Sequence, residues 1–372
     1  MSDTPRMASR VSFPFPPWTT IAPLLAVVGL AMAWNRDLPG AAVAVVMALL
    51  AGAVLAAVHH AEVVAHRVGE PYGSLVLAVA VTIIEVALIL TLMFSGSGET
   101  ESLARDTVFA AVMITCNGIV GLSILVGAIH RPVVLFHAEG TGAALATVTT
   151  LATLSLVLPT FTTTTPGPQF SPSQLAFVAV TALSLYGLFV AVQTGRHRDY
   201  FLPVATAENT VDDESHADPP SRRTAAVSFG LLLVALVAVV GNAKVVSPTI
   251  ERTVEAVGLP LSVVGVTIAL LVLLPETLAA VRAAQRDRLQ VSLNLAFGSA
   301  MASIGLTIPA IALSSWWLPV PLHLGLSGGH TVLLALTVVV AVLTVVPGRA
   351  TLLQAGVHLA LLAAYFFLTV SP

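Results

Sequence analysis

Long apolar runs fill almost the whole chain and are separated by short polar segments. A helix of about 20 apolar residues spans the hydrocarbon core of a bilayer, so each run predicts one transmembrane helix. Pro275 and Pro309 lie inside two runs and predict kinks, because proline cannot donate a backbone hydrogen bond. The pattern predicts an all-α polytopic membrane protein with about eleven transmembrane helices, at residues 19–35, 39–61, 73–95, 107–130, 138–159, 172–194, 225–246, 259–283, 289–314, 328–346 and 350–370.

The first run has two interpretations. It follows Arg6 and Arg10 and ends in Ala-Met-Ala, as a cleavable signal peptide does. We expect a retained helix and keep the signal peptide as the alternative. In either case the next loop begins outside the membrane, so the orientation of the other helices does not change.

Composition supports the lipid environment. Of the 372 residues, 9% are charged and 56% are hydrophobic, whereas a soluble domain has about 25% charged residues. The net charge is −3 and there is no basic cluster, which disfavours nucleic acid as a partner. Cys116 is the one cysteine, so an intrachain disulfide is excluded. The expected partner is the lipid bilayer, and the oligomeric state stays open.

The basic residues predict the orientation, because loops rich in Lys and Arg stay in the cytoplasm. With the N-terminus inside, the cytoplasmic segments hold twelve basic residues: Arg6, Arg10, Arg67, Arg131, Arg196, Arg198, Arg222, Arg223, Arg282, Arg286, Arg288 and Arg349. The outer segments hold four, which are Arg36, Arg105, Lys244 and Arg252. We therefore expect a multi-pass protein of the bacterial inner (plasma) membrane, with a cytoplasmic N-terminus and an outer C-terminus.

Two parts of the chain share an order of short motifs. Val-Gly-x-Pro occurs at Val68–Pro71 and at Val257–Pro260, and each copy precedes an apolar run with one glutamate, Glu85 or Glu276. An Arg-Asp pair follows each glutamate, and a helix rich in small residues follows each pair. Small residues let membrane helices pack closely. The shared order predicts an internal repeat.

Helices two to six then correspond to helices seven to eleven, with one extra helix before them. Because five is odd, the second copy enters the membrane from the opposite side, and such inverted repeats are typical of secondary transporters. The predicted parts are an N-terminal segment with the first helix at 1–37, a five-helix repeat at 38–194, an acidic cytoplasmic linker at 195–223 and a second repeat at 224–372. We interpret the linker as a solvated connection, with cation sensing or regulation as the alternative.

Glu85 and Glu276 are the strongest functional signal. A charged residue at the centre of a membrane helix costs about 2.5 kcal/mol or more, so it is retained where it meets a partner, a cavity or a cation. The alternative is a protonated glutamate that only packs. Inverted repeats bring such residues together near the midplane. Two facing carboxylates would hold protons in an empty site and release them to a hard cation such as Ca²⁺, which is the physical basis of exchange.

Two segments carry a resemblance to a known family, VHHAEVVAHRVGEPYGSLVLAVAVTIIEVALIL in the first half and LLPETLAAVRAAQRDRLQVSLNLAFGSAMASIGLTIP in the second. They resemble the calcium/cation antiporter superfamily, most closely the bacterial ChaA-type calcium/proton antiporters, and the likeness covers nearly the whole chain. The resemblance implies that each repeat contributes one glutamate to a central cation site, here Glu85 and Glu276.

The resemblance also implies a shell of small polar residues near the ion, at Asn117, Ser299 and Ser303. Many relatives have Gly-Asn shortly before each glutamate, whereas this chain has Val81-Thr82 in the first half and Val272-Leu273 in the second. Thr82 stands where many relatives have asparagine, so we include it in the polar shell. The loss of two amide oxygens argues against strict calcium selectivity and favours Na⁺ or K⁺ as further substrates.

Glu62, His137 and Glu139 lie near predicted cytoplasmic helix ends. They are candidates for an ion or proton entrance, and solvation at the membrane surface is the alternative. The zinc-protease motif, the Gly-x-Ser-x-Gly elbow and the phosphate loop are absent from the sequence. We therefore expect neither an enzyme nor ATP-driven transport by this chain.

The sequence predicts a secondary antiporter that exports Ca²⁺, and also Na⁺ or K⁺, in exchange for protons by alternating access, with no bound cofactor. Glu85 and Glu276 are the predicted ligands of the transported metal ion. The first alternative is a cation channel without proton coupling. The second is a membrane-embedded enzyme that uses the two glutamates as acid and base, although no basic residue lies within the apolar core around either one.

Overall fold

The computed structural model describes residues 17–36, 38–69, 72–95, 100–129, 131–204, 220–317 and 321–371. Within them, nine helical segments are long and apolar enough to cross a bilayer, and two shorter apolar helices, Trp18–Ala33 and Ala78–Met93, complete the predicted eleven. The all-α polytopic fold is confirmed. Arg6, Arg10 and most of the acidic linker lie outside the described residues, so their predicted roles stay predictions.

The helices follow the apolar runs of the sequence in order. They are α1 (Pro17–Ala33), α2 (Gly40–Val68), α3 (Tyr72–Ser95), α4 (Leu103–Met113), α5 (Val120–Ala128), α6 (Ala138–Ala152), α7 (Pro172–Ala191), α8 (Arg222–Ala256), α9 (Ser262–Gln285), α10 (Leu289–Ser314), α11 (Gly328–Val345) and α12 (Leu352–Val370). Three π-helical segments are Ile114–Ile119, Thr153–Val157 and Val192–Arg196, and three short 3₁₀ turns are Thr100–Ser102, Leu158–Thr160 and Arg198–Phe201. Strands β1 (Val134–Leu135) and β2 (Arg349–Ala350) form one antiparallel pair.

Some helix boundaries differ from the sequence predictions. α2 and α8 are 29 and 35 residues long and extend well past the apolar runs, so Lys244 and Arg252 lie on α8 and not in a loop. The extension of α8 continues past Pro248, although proline cannot donate a helical hydrogen bond. The fourth span is interrupted, since the π-helical turn Ile114–Ile119 separates α4 from α5.

The glycines of the two Val-Gly-x-Pro motifs both have a positive φ. Gly69 has φ +78° and Gly258 has φ +73°, a region that glycine adopts without steric cost. Gly69 follows the C-terminus of α2, where its N–H donates to the carbonyl of Ala65, and Gly258 lies just beyond the C-terminus of α8. The two glycines thus hold corresponding positions after α2 and α8.

The helices pack in a way that relates the two halves. The long helices α2 and α8 pack along each other, and α1 packs against both. α4 packs against α9, and α3 packs against α10. Each half therefore brings its glutamate-bearing helix, α3 or α9, against the helix that follows the glutamate in the other half.

The helix ends form two faces. We call the end that carries Arg198–Phe201 and the β1–β2 pair the linker face; there Arg131 forms an ion pair with Asp287. We call the opposite end the distal face. At the distal face the N–H of His323 donates to the carbonyl of Glu101 over 3.1 Å, and the N–H of Gly325 donates to the carbonyl of Pro168 over 2.9 Å.

Candidate functional site

A cavity of about 240 Å³ lies among α3, α7, α9 and α10. Half of its lining residues are alanine, valine and leucine, and α7 contributes Tyr186 and Phe189. Its polar lining residues are Thr82, Glu85, Gln193, Glu276, Asn294, Ser299 and Ser303. The predicted glutamates of the two halves therefore face one cavity, together with three of the four predicted shell residues.

Glu85 is held in place by a residue of the other half. It lies on α3 and its side chain is 5% exposed. Ser303 Oγ of α10 donates a hydrogen bond of 2.6 Å to Glu85 Oε1. Thr82 lies one turn earlier on the same face of α3, because residues three apart on a helix are neighbours. Glu85 is therefore a buried carboxylate with a hydroxyl donor on one oxygen.

Glu276 has a different environment. Its Oε2 atom is buried and has no hydrogen-bond partner among the described residues. Pro275 precedes it within α9 and has no N–H, so the carbonyl of Leu271 lacks its usual helical donor. Buried acceptors without donors are costly unless a proton or a cation reaches them. Both oxygens suit a hard cation, which takes carboxylate and carbonyl oxygens as ligands.

The charges around the pair are negative. Electrostatic interactions reach Glu276 from both Glu85 and Glu62. No lysine or arginine belongs to the described lining of the cavity. Arg282 interacts electrostatically with Glu62 instead. Charge balance at the two carboxylates therefore has to come from bound protons or from a cation.

Oxygen atoms that could bind a cation are distributed unequally in the cavity. Thr82 precedes Glu85 by three residues, and Leu273 holds the same position before Glu276. Ser303 bonds to Glu85, whereas the wall beside Glu276 is formed by Leu273 with Ala269 and Val272. A cation between the carboxylates thus has hydroxyl ligands available on the Glu85 side.

Asn117, which the resemblance places in the polar shell, is absent from the described cavity lining. It lies in the π-helical turn after α4, with its side chain fully buried against α11 and α12. The extra residue of the π-helical turn changes the direction in which the following side chains point. That change cannot be read from sequence spacing, and the predicted place of Asn117 in the polar shell stays a prediction.

The three predicted entrance residues also lie outside the described cavity lining. Glu62 is exposed on α2, and its charge reaches Glu276. His137 precedes α6, and its backbone N–H donates to Gln290 Oε1 over 2.7 Å. Glu139 is exposed in the first turn of α6. The structure therefore brings Glu62 near the site and leaves the other two at the linker face.

Several lining residues were not anticipated from the sequence. Asn294 lies on α10 four residues before Gly298, another lining residue, so the two share one face of the helix. Its Nδ2 donates to the carbonyl of Phe201 over 2.6 Å. Gln193 lies in the π-helical segment after α7, and Tyr186 lies on α7 itself. These two carried no polar pattern that set them apart from packing residues.

The cavity extends from the glutamates towards the linker face. Gln193 at the end of α7 and Asn294 near the start of α10 mark that end. The distal side is closely packed, since a Cβ added to Gly265 of α9 would lie 3.0 Å from the backbone nitrogen of Thr107. The arrangement gives the two carboxylates access from one face.

Polar and aromatic contacts close the distal side further. Arg105 Nε donates to Asp106 Oδ1 over 2.8 Å and Arg105 Nη1 donates to the carbonyl of Gly325 over 3.2 Å. Phe109 packs edge-to-face on Tyr365, with ring centroids 5.3 Å apart. Among the described residues, an ion pair and aromatic rings thus link α4 to α12 and to the segment before α11.

Comparison with known proteins adds to this geometry. The family of sodium/calcium exchanger proteins matches residues 39–195 and 227–371. The y4hA protein of Sinorhizobium fredii (strain NBRC 101917 / NGR234), which bears the name of an ionic transporter, is 46% identical over 364 residues, covering 96% of this chain and 97% of the relative. The sodium-potassium/proton antiporter ChaA of Escherichia coli (strain K12) is 33% identical over 348 residues, covering 93% and 94%.

A solved structure resembles the fold. The structure of YfkE superposes with a TM-score of 0.69 at 16% identity, covering 95% of this chain and 99% of that one. This likeness supports the fold alone, whereas the family match and the two relatives extend along the sequence of both halves. The chain belongs to the sodium/calcium exchanger family, and it is a multi-pass membrane protein of that antiporter family.

Proposed function

We propose that the protein exports Ca²⁺, and also Na⁺ or K⁺, from the cytoplasm in exchange for protons, with Glu85 and Glu276 as the shared site. The observation that carries the proposal is the convergence of these two carboxylates, one from each half, on a single cavity without a lining lysine or arginine among the described residues. Protons and a cation neutralise the same charges, so binding of one displaces the other.

Access to the site favours an antiporter over a channel. A channel needs a continuous pore, whereas among the described residues α9 packs closely on the backbone of α4 at the distal side, where Gly265 meets Thr107. A site that is reached from one face at a time is what alternating access requires. The orientation predicted from the basic residues makes the linker face cytoplasmic, so this arrangement would load a cytoplasmic cation.

The choice of ion follows from charge and ligands. Ca²⁺ neutralises two carboxylates, and exchange for two protons then leaves the site with the same net charge. Leu273 removes one oxygen ligand from the Glu276 side, and Ca²⁺ needs six to eight oxygens. Water would complete the shell for Ca²⁺, whereas Na⁺ and K⁺ require less charge. The relative ChaA is named for sodium, potassium and protons.

Purified protein in liposomes tests the proposal. A pH gradient is imposed, and Ca²⁺, Na⁺ and K⁺ are added separately while a fluorescent dye reports the internal pH. We expect cation-dependent dissipation of the gradient for at least one ion. Asp199→Asn is a suitable control, because Asp199 is exposed at the linker face beyond α7. A pH gradient that persists with all three cations over a broad pH range would refute the proposal. Cation flux that is independent of the pH gradient would favour a channel.

A further inference from the structure

A buried polar network joins the fourth span to the last two helices, away from the described cavity lining. Asn117 Nδ2 donates to Thr337 Oγ1 of α11 over 3.0 Å. Asn117 Oδ1 lies 3.1 Å from Nδ1 of His358 on α12, and His358 Nε2 lies 3.2 Å from Thr344 Oγ1 of α11. Asn117 and His358 are fully buried, and the two threonines are at most 3% exposed.

The donors and acceptors of this network match without a charged group. An amide oxygen can only accept, so Nδ1 of His358 carries the hydrogen and donates to Asn117. Nε2 of the neutral ring is then the acceptor for the hydroxyl of Thr344. Every polar atom of the histidine ring is thus paired, and a buried network of this kind is rigid and specific when all its members are satisfied.

The network is attached to the one π-helical turn within the fourth span, Ile114–Ile119. A π-helical turn holds one residue more than an α-helical turn, and each residue of an α-helix advances by about 100°. The turn therefore sets the rotation of α4 relative to α5. α4 contributes Ala111 to the cavity wall and packs on Gly265 of α9.

α5, in contrast, is fixed to α12. A Cβ at Gly121 of α5 would lie 3.0 Å from Leu359 and 3.1 Å from His358, and one at Gly118, in the π-helical turn itself, would lie 3.2 Å from Leu362. Close glycine contacts of this kind fix the distance between membrane helices. With α5 fixed in this way, the state of the π-helical turn decides which face α4 turns towards Glu276.

We propose that Asn117 and His358 are positioning residues for transport, and that their hydrogen bond keeps the π-helical turn in place and thereby sets the face of α4 beside the cation site. This inference rests on the proposed function for its transport readout. It assigns Asn117 to the helix rotation and not to the ion, and it gives the buried His358 a role that involves no proton transfer.

The test compares full-length Asn117→Ala, His358→Ala, the double variant and the conservative His358→Gln in liposomes with equal protein. We expect each alanine variant to raise the half-saturating cation concentration about fivefold to tenfold, the size expected from loss of one positioning hydrogen bond. The effect of the double variant should be smaller than the product of the two single effects, because both single variants remove the shared Asn117–His358 bond. His358→Gln, which can still donate and accept, should recover most of the affinity.

His60 provides a matched control. It is also fully buried, with Nε2 3.0 Å from the carbonyl of Thr19 and Nδ1 3.3 Å from Ser228 Oγ, but it joins α2 to α1 and α8. His60→Gln should lower the melting temperature and leave the half-saturating concentration at the wild-type value. Equal effects of His60→Gln and His358→Gln on that concentration would overturn the proposal, as would multiplicative effects of Asn117→Ala and His358→Ala.

A second measurement does not depend on transport. Amide hydrogen exchange of the detergent-solubilised protein should show faster exchange at residues 114–119 in Asn117→Ala than in the wild type, with α8 unchanged. Unchanged protection at 114–119 would overturn the positioning role even if the variant transports poorly. Wild-type liposomes that exchange none of the three cations would refute the proposed function, while the hydrogen-exchange result would still decide whether the bond holds the turn.

Discussion

The two faces of the protein are built from related helices and differ in packing. At the distal face α9 meets α4 so closely that Gly265 leaves no room for a side chain beside Thr107. At the linker face the related pair, α3 and α10, borders a cavity that reaches Glu85 and Glu276. The same kind of helix pair thus forms a seal on one side and an access route on the other.

The difference suggests how access could alternate. If the two halves are related by an inverted repeat, α3 and α10 can adopt the close packing that α9 and α4 now have. In the same way, α9 and α4 can adopt the open packing of α3 and α10. Exchange of the two packings would close the linker face and open the distal face around the same carboxylates. The predictions below test the site that both states share and then the features in which the two sides differ.

The largest effect is expected from the shared site. Glu85→Gln and Glu276→Gln should each lower cation/proton exchange about 100-fold or more, because loss of one charge from a buried group of partners costs about 3–5 kcal/mol. Glutamine keeps the size of the side chain but cannot exchange a proton for a metal. Dye-reported exchange in liposomes measures the effect, and wild-type exchange in either variant would remove that residue from the mechanism.

The distal seal is tested by Gly265→Val. The added side chain collides with the backbone of α4, and overpacking of this kind costs about 1–3 kcal/mol. We expect the exchange rate to fall by about tenfold or more, since the sealed state is one of the two states of the cycle. Gly187→Val is the control, because nothing lies within 4 Å of a Cβ at Gly187. Equal rates for both variants would show that the seal does not limit transport.

The hydroxyl beside Glu85 should have a smaller effect. Ser303→Ala removes the 2.6 Å hydrogen bond to Glu85, and a bond to a charged group contributes about 1.5–3 kcal/mol. The half-saturating cation concentration should rise about tenfold, and Ser303→Thr should keep it close to wild type. Ser299 lines the same cavity, so Ser299→Ala should have the weaker effect. A larger effect of Ser299→Ala than of Ser303→Ala would contradict the unequal environments of the two glutamates.

The smallest effect concerns ion selectivity. Leu273→Asn supplies an amide oxygen to the Glu276 side, where the wall is apolar. We expect the ratio of half-saturating concentrations to shift towards Ca²⁺ and away from K⁺ by about fivefold, which corresponds to about 1 kcal/mol. Leu273→Val is the control for side-chain volume. An unchanged Ca²⁺ to K⁺ ratio in Leu273→Asn would show that this position does not select the ion.

Much of the fold could be predicted because the bilayer imposes a simple rule on length and hydropathy. The apolar runs gave the order and approximate ends of the helices, and the glycines of the two Val-Gly-x-Pro copies, Gly69 and Gly258, both have a positive φ. The long ends of α2 and α8 could not be predicted, since helices continue past the membrane without a sequence signal. The domain boundaries and the orientation stay predictions.

The candidate site was accessible to sequence reasoning only in part. A glutamate in an apolar run is conspicuous in the sequence. Ser299 and Ser303 lie one turn apart on α10 and line the same cavity as the two glutamates. Asn117 lies in a π-helical turn, which rotates side chains in a way that residue spacing does not encode, so its place in the polar shell stays a prediction. Whether Glu85 and Glu276 bind the transported ion stays a prediction, which the measurements above address.

Proton release on cation binding tests the central claim most directly. Ca²⁺, Na⁺ and K⁺ are titrated into the detergent-solubilised protein by calorimetry in buffers that differ in ionisation enthalpy, and the buffer dependence gives the number of protons released per bound cation. We predict release of protons by the wild type, weaker cation binding at lower pH, and loss of release in the double variant Glu85→Gln with Glu276→Gln. Tight cation binding to the wild type without any proton release would contradict a site shared by cations and protons.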